Sequence, residues 1–138
     1  MTSRLNPYIS FDGNAREALE FYREVFGGEL TMSTFGEFGM KDSPAENKIM
    51  HAQLLADNGF CLMGADTPPE QTYQAGNTMS VSLSGDDAAA LHGYWAKLAA
   101  NGTVNVPMEK QMWGDEFGMC TDSFGVAWMV NIVAPQVN

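Results

Sequence analysis

The sequence predicts an α+β domain built from two copies of a βαβββ module. Three observations lead there. An amphipathic helix pattern occurs twice, 73 positions apart (Asn14 to Asp87), with its apolar residues in step. Alternating strand patterns flank both helices in the same order. Each copy also ends on a strand, a tight turn and a second strand, "LLADNGFCLMGAD" at 54–66 and "MCTDSFGVAWMVNIV" at 119–133. In both, a turn glycine (Gly59, Gly125) precedes a methionine by four residues (Met63, Met129). A βαβββ unit covers one sheet face with its helix and leaves the other bare. Two copies side by side can therefore form one curved eight-stranded mixed sheet around a shared pocket, with both helices on the convex side.

The elements follow in order. "NPYISFDG" alternates and reads as the first strand. "NAREALEFYREVFGG" opens on a capping box, Asn14 with Glu17. Ala15, Ala18, Leu19, Tyr22, Val25 and Phe26 then share a face, and Gly27–Gly28 supply a left-handed stop. "GELTMSTF", "KIMHAQLLAD" and "GFCLMGA" are strands, the last two joined through Asp57-Asn58-Gly59. In the second copy "TMSVSLSG" is the strand, and Asp87 caps a helix with Ala88, Leu91, Trp95, Leu98 and Ala99 inward and Gly102 as its stop. "GTVNVPMEKQ", "GMCTDS" and "VAWMVNIV" complete it. The loop at 36–47 reads as a flap over a pocket or as an ordinary anchored loop. The domain therefore spans 1–138, with module one at 1–66, a linker at 67–76, module two at 77–133 and a tail at 134–138.

Composition narrows the function classes. A chain of 138 residues that is 45% hydrophobic and 17% charged is globular and long enough for a core. Its apolar runs are too short to span a membrane, and no leader pattern precedes Asn6. Cys61 and Cys120 lie inside apolar strand patterns, as packing residues do, so the expected compartment is the cytoplasm. Seven basic against 17 acidic residues give a formal charge of −10, which argues against nucleic-acid binding and permits a cationic ligand. No G-x-G-x-x-G follows a strand, and there is no phosphate loop or serine nucleophile elbow, so no cofactor is expected.

"NAREALEFYREVFGGEL", "MHAQL" and "MWGDEFGMCTDSFGVAWMVNI" resemble the PhnB-like branch of the vicinal oxygen chelate superfamily, which holds glyoxalase I, bleomycin-resistance proteins and extradiol dioxygenases. Trp113-Gly114, Phe117-Gly118, Thr121-Asp122, Phe124-Gly125-Val126, Trp128 and Asn131 carry the likeness, which runs over nearly the whole chain. The resemblance implies the fold, a homodimer and, in metal-dependent relatives, one divalent ion held from the first and last strand of each module. Those places fall on Pro7, on Ser80 or Thr78, and on Met63 and Met129. None offers the carboxylate or imidazole that such an ion needs, so no metal is expected.

His51 and Gln53 alternate with Ala52 and Leu54, and face the pocket if the latter pair packs on the helix. His51 can then act as an acid/base, orient a ligand by hydrogen bonding, or simply line the wall. His92 falls on the outer helix face, in solvent. Trp113 can stack on a ligand and Asp115 or Glu116 can oppose a cation, or the tryptophan packs under a loop and the acids are solvated. Met32, Met79 and Met119 read as core. The site expected from sequence has Met63 and Met129 as an apolar floor, with His51, Gln53, Ser80, Ser82, Trp113 and Asp115 around the rim. It suits a small organic molecule, uncharged or cationic. Three functions compete: a metal-free small-molecule binding protein, a superfamily enzyme (lyase, dioxygenase or isomerase type) using His51 or a non-standard metal site, and a dimeric interaction module.

Overall fold

A computed structural model describes residues 3–135; the last three residues of the predicted tail lie outside the described residues. The first module runs β1 (Tyr8–Phe11), α1 (Ala15–Phe26), β2 (Glu29–Thr34), β3 (Ile49–Leu55) and β4 (Cys61–Asp66). The second runs β5 (Val81–Gly85), α2 (Ala88–Ala99), β6 (Thr103–Lys110), β7 (Glu116–Thr121) and β8 (Ala127–Ile132). The predicted βαβββ order is present twice. The strands hydrogen-bond as two four-stranded sheets, β1-β4-β3-β2 and β5-β8-β7-β6, where sequence reasoning joined all eight in one. In each sheet the first and last strands pair in parallel and the rest antiparallel. The described residues divide into two compact units, the first ending at Ala75 and the second starting at Gly76. The boundary falls inside the predicted linker, with residues 67–75 in the first unit and Gly76 in the second.

The repeat extends to hydrogen bonds. In the β3–β4 turn Ala56 N–H donates to the Phe60 carbonyl at 2.8 Å and Gly59 N–H to the Ala56 carbonyl at 3.0 Å. In the β7–β8 turn Asp122 N–H donates to Val126 at 2.9 Å and Gly125 N–H to Asp122 at 3.0 Å. Gly59 and Gly125 sit at φ +93° and +87°, a conformation other residues adopt only with strain.

α1 buries the predicted face: Ala15, Ala18, Leu19, Tyr22, Val25 and Phe26. α2 buries only Leu91 and Leu98, while Trp95 is half-buried and Ala88 exposed. Trp128, Val130, Ile132, Leu83 and Cys120 complete the second core, with the Trp128 indole N–H donating to Asp122 at 2.8 Å. Burial and the neighbouring Asp122 carboxylate push the Cys120 thiol up to about 11. It is a packing residue, not a nucleophile.

Several local expectations are corrected. The Asn14 side chain makes no capping bond. The start of α1 is held by Asp66, a buried carboxylate at the end of β4, which accepts from Ala15 N–H at 2.9 Å and Ile49 N–H at 2.8 Å. A charged acceptor there meets both the orphan donors and the helix dipole. Asp87 caps α2 as predicted, accepting from Ala90 N–H at 3.1 Å. Gly102 is not a left-handed stop: a Cβ there would run into the Thr121 carbonyl oxygen, so glycine is required by close approach. β5 starts at Val81, leaving Met79 exposed before it instead of in the core. Within loop 36–47 a short 3₁₀ turn covers Gly36–Phe38, with Phe35 buried and Phe38 exposed.

Candidate functional site

In the first sheet Ala52, Leu54, Leu62 and Gly64 are buried on the side that α1 covers. Side chains alternate along a strand, so His51, Gln53, Cys61 and Met63 occupy the opposite, open face. The condition set by the sequence for His51 and Gln53 is met. Both are half-buried. Register places Tyr8 beside Met63 and Met63 beside Gln53 in one row across the sheet. The Tyr8 hydroxyl lies 3.1 Å from His51 Nδ1, and the two rings are 5.7 Å apart between centroids. With the imidazole neutral and protonated at Nε2, the phenol donates to Nδ1. Partial burial holds the Tyr8 phenol above its ordinary value, so it remains a donor at neutral pH.

Sequence reasoning did not single out Tyr8. Its signal was present: in "PYISF" the alternation puts Tyr8 and Ser10 on the face opposite Ile9 and Phe11. Only the β1–β4–β3 register joins it to His51, 43 residues away.

The second sheet has a corresponding open face. Ser82 pairs with Met129, and Met129 with Met119. Ser80 lies outside β5 and is exposed. Trp113 stands in the turn before β7, 62% exposed, edge-on to Phe117 at 6.1 Å. That turn is closed by Gln111 N–H donating to the Asp115 carbonyl at 2.7 Å. The Asp115 carboxylate accepts from Asn131 Nδ2 at 3.0 Å and from Ala134 N–H at 2.8 Å. The Asn131 bond above all, then Ala134 N–H, with a smaller part from the Trp113 indole, holds this carboxyl below its ordinary range. Asp115 thereby ties the exit of β8 to the β6–β7 turn. Glu116 is on the helix-covered side, where its carboxylate lies 3.3 Å from Nε2 of the half-exposed His92. In this arrangement His51, Gln53 and Met63 come together in the first module, and Ser82 and Met129 in the second; Trp113 and Asp115 precede β7 and reach that second face through Phe117 and Asn131, while Ser80 lies outside β5.

A divalent metal does not fit these residues. Pro7 presents only a backbone carbonyl, which accepts from Met63 N–H at 3.1 Å. Register brings Tyr8, not Pro7, beside Met63, and Ser82, not Ser80, beside Met129. A phenol with a thioether, and a hydroxyl with a thioether, are poor donors for zinc, nickel, iron or manganese. Among the described residues no group of three or more His, Cys, Asp or Glu is placed to hold an ion.

A cavity beside the ends of β1 and β4 is lined by residues of the first unit alone. It has a volume of about 370 Å³ and is bounded by Tyr8, Ser10, Phe35, Met50 and the segment after β4. That segment is pinned to the end of β1, because Thr67 donates to the Phe11 carbonyl through both N–H (2.8 Å) and Oγ (3.0 Å).

Residues 4–130 match the family model of the Glyoxalase/Bleomycin resistance protein/Dioxygenase superfamily. The chain belongs to this superfamily. Among its superfamily relatives, Protein YjdN of Escherichia coli (strain K12) is 32% identical, the match covering 96% of this chain and 97% of YjdN. The uncharacterized protein Mb0911c of Mycobacterium bovis is 30% identical, over 97% of this chain and 86% of its own length. The crystal structure of protein PA1353 from Pseudomonas aeruginosa superposes with a TM-score of 0.86 at 38% identity, covering 97% of this chain and all of the other. The PhnB protein of Bacillus cereus shares the glyoxalase-type fold, with a TM-score of 0.77 at 22% identity over 95% of this chain and 100% of that one.

Proposed function

We propose that this superfamily member is a small-molecule binding protein that works without the divalent metal of its metal-dependent relatives. The observation that carries the reading is the donor set. Met63 stands in register with Tyr8 and Gln53, and Met129 with Ser82 and Met119, so each sheet offers a flexible apolar thioether among neutral polar groups. Such a surface suits an uncharged or cationic organic molecule, held by burial and oriented by a few hydrogen bonds. The formal charge of −10 disfavours anions. The protein is proposed to be a cytoplasmic homodimer; among the described residues no helix is long and apolar enough to cross a membrane.

The Tyr8–His51 hydrogen bond favours a second reading, in which His51 is the acid/base of a metal-independent superfamily enzyme. A thermal-shift screen with and without divalent ions separates the cases. A ligand at 100-fold over its Kd raises stability by about 2.7 kcal/mol. Stabilisation by apolar neutral or cationic compounds that survives EDTA supports the binding reading, whereas stabilisation that requires a divalent ion refutes it. Turnover of a bound compound, lost in His51→Ala, establishes the enzyme.

A further inference from the structure

We infer that the cavity beside the ends of β1 and β4 is a ligand site for an uncharged, ring-bearing molecule that carries hydroxyl or amide groups. This rests on the small-molecule reading above and adds a location and a chemical class to it.

The walls set the class. Its apolar surface comes from the rings of Tyr8, Phe35 and Tyr73 together with Met50, which is the lining a flat ring needs. One ionisable carboxylate borders the cavity, that of Asp66, and both of its oxygens are occupied by the backbone N–H groups of Ala15 and Ile49. At 3% exposure, it presents almost no surface to a cation. No lysine, arginine, glutamate or histidine lines the wall, so an anion finds no counter-charge. An ion entering here would exchange part of its water for uncharged groups alone.

Neutral hydrogen-bonding groups are present. Ser10 Oγ and the side-chain amides of Gln71 and Gln74 line the cavity and make no hydrogen bond among the described residues. With His51 protonated at Nε2, the Tyr8 hydroxyl donates to Nδ1 and its oxygen lone pairs are left to accept from a ligand O–H or N–H. A volume of about 370 Å³ falls at the small end of ligand sites. The segment after β4 is a fixed wall: Thr67 is bonded twice to Phe11, and Gln71 N–H donates to the Pro68 carbonyl at 3.0 Å.

The test uses the full chain labelled with ¹⁵N and three matched probes: 4-hydroxybenzamide (neutral), 4-hydroxybenzoate (anion) and 4-hydroxybenzylamine (cation). The neutral probe is expected to shift the amide signals of Ser10, Thr67 and residues 71–74 saturably, with both ions weaker by about tenfold or more. Ser10→Phe, at an exposed position, fills the cavity and should abolish those shifts, while Met112→Glu, fully exposed in the second unit, should leave them. Gln74→Lys, also exposed, should strengthen the benzoate. Saturable shifts at Gln53 and Met63 without the 71–74 signals would overturn this site and leave the binding reading standing. Absence of saturable shifts up to about 10 mM of the neutral probe would overturn the ligand class. Shifts at Ser10 and 71–74 that appear only with a divalent ion would refute the metal-free reading but not the location.

Discussion

Replacing Asp66 by alanine tests the long-range tie that holds α1 on its sheet. Its carboxylate is 3% exposed and serves two backbone donors, on Ala15 and Ile49, which are themselves 0% and 1% exposed. Alanine leaves both N–H groups buried without an acceptor, at about 1–3 kcal/mol each. The loss of a charged group at a helix N-terminus is included in that range, so the total is about 2–6 kcal/mol. For a chain of this length this lowers Tm by roughly 3–4 °C per kcal/mol. Asn14→Ala removes the cap that the sequence suggests but the structure does not use, and should stay within about 0.5 kcal/mol. Urea unfolding followed by circular dichroism measures both. Equal losses in the two variants, or an Asp66→Ala cost below about 0.5 kcal/mol, would refute the assignment of the cap to Asp66.

Four further outcomes are expected. In the native protein one thiol, Cys61, should react with a disulfide reagent at pH 8, and Cys120 only after unfolding. Because burial raises Cys120 from 9.0 to about 11, the unfolded chain loses this proton first between those values. Stability should therefore fall with rising pH across that window, by about 1–3 kcal/mol, and the fall should be smaller in Cys120→Ala; a rise would contradict it. Gly102→Ala, whose Cβ would meet the Thr121 carbonyl, should cost more than Gly125→Ala, whose Cβ meets no atom but takes φ +87°, at about 1–2 kcal/mol. Sedimentation should give about twice 15.0 kDa for the proposed homodimer; a mass near one chain would refute it.

What was legible in the sequence was periodic and local. The face of α1, the alternation around His51 and the two glycine turns all follow from residues a few positions apart. The repeat made each half corroborate the other. What stayed hidden depends on register between distant strands. Asp66 reaches Ala15 across 51 positions, so the nearer Asn14 looked like the cap. Tyr8 meets His51 only because β4 sits between their strands. Asp115 read as a free counter-charge because its donors, Asn131 and Ala134, lie 16 and 19 positions on. The polar composition of the segment after β4 likewise does not reveal the two bonds from Thr67 to Phe11.

The proposed function requires that Pro7, Ser80 or Thr78, Met63 and Met129 hold no divalent ion. Elemental analysis of the purified protein after dialysis tests it most directly. Zinc, nickel, iron and manganese are all expected well below one ion per chain, unchanged in His51→Ala. One ion per chain that survives dialysis and disappears in His51→Ala would contradict it.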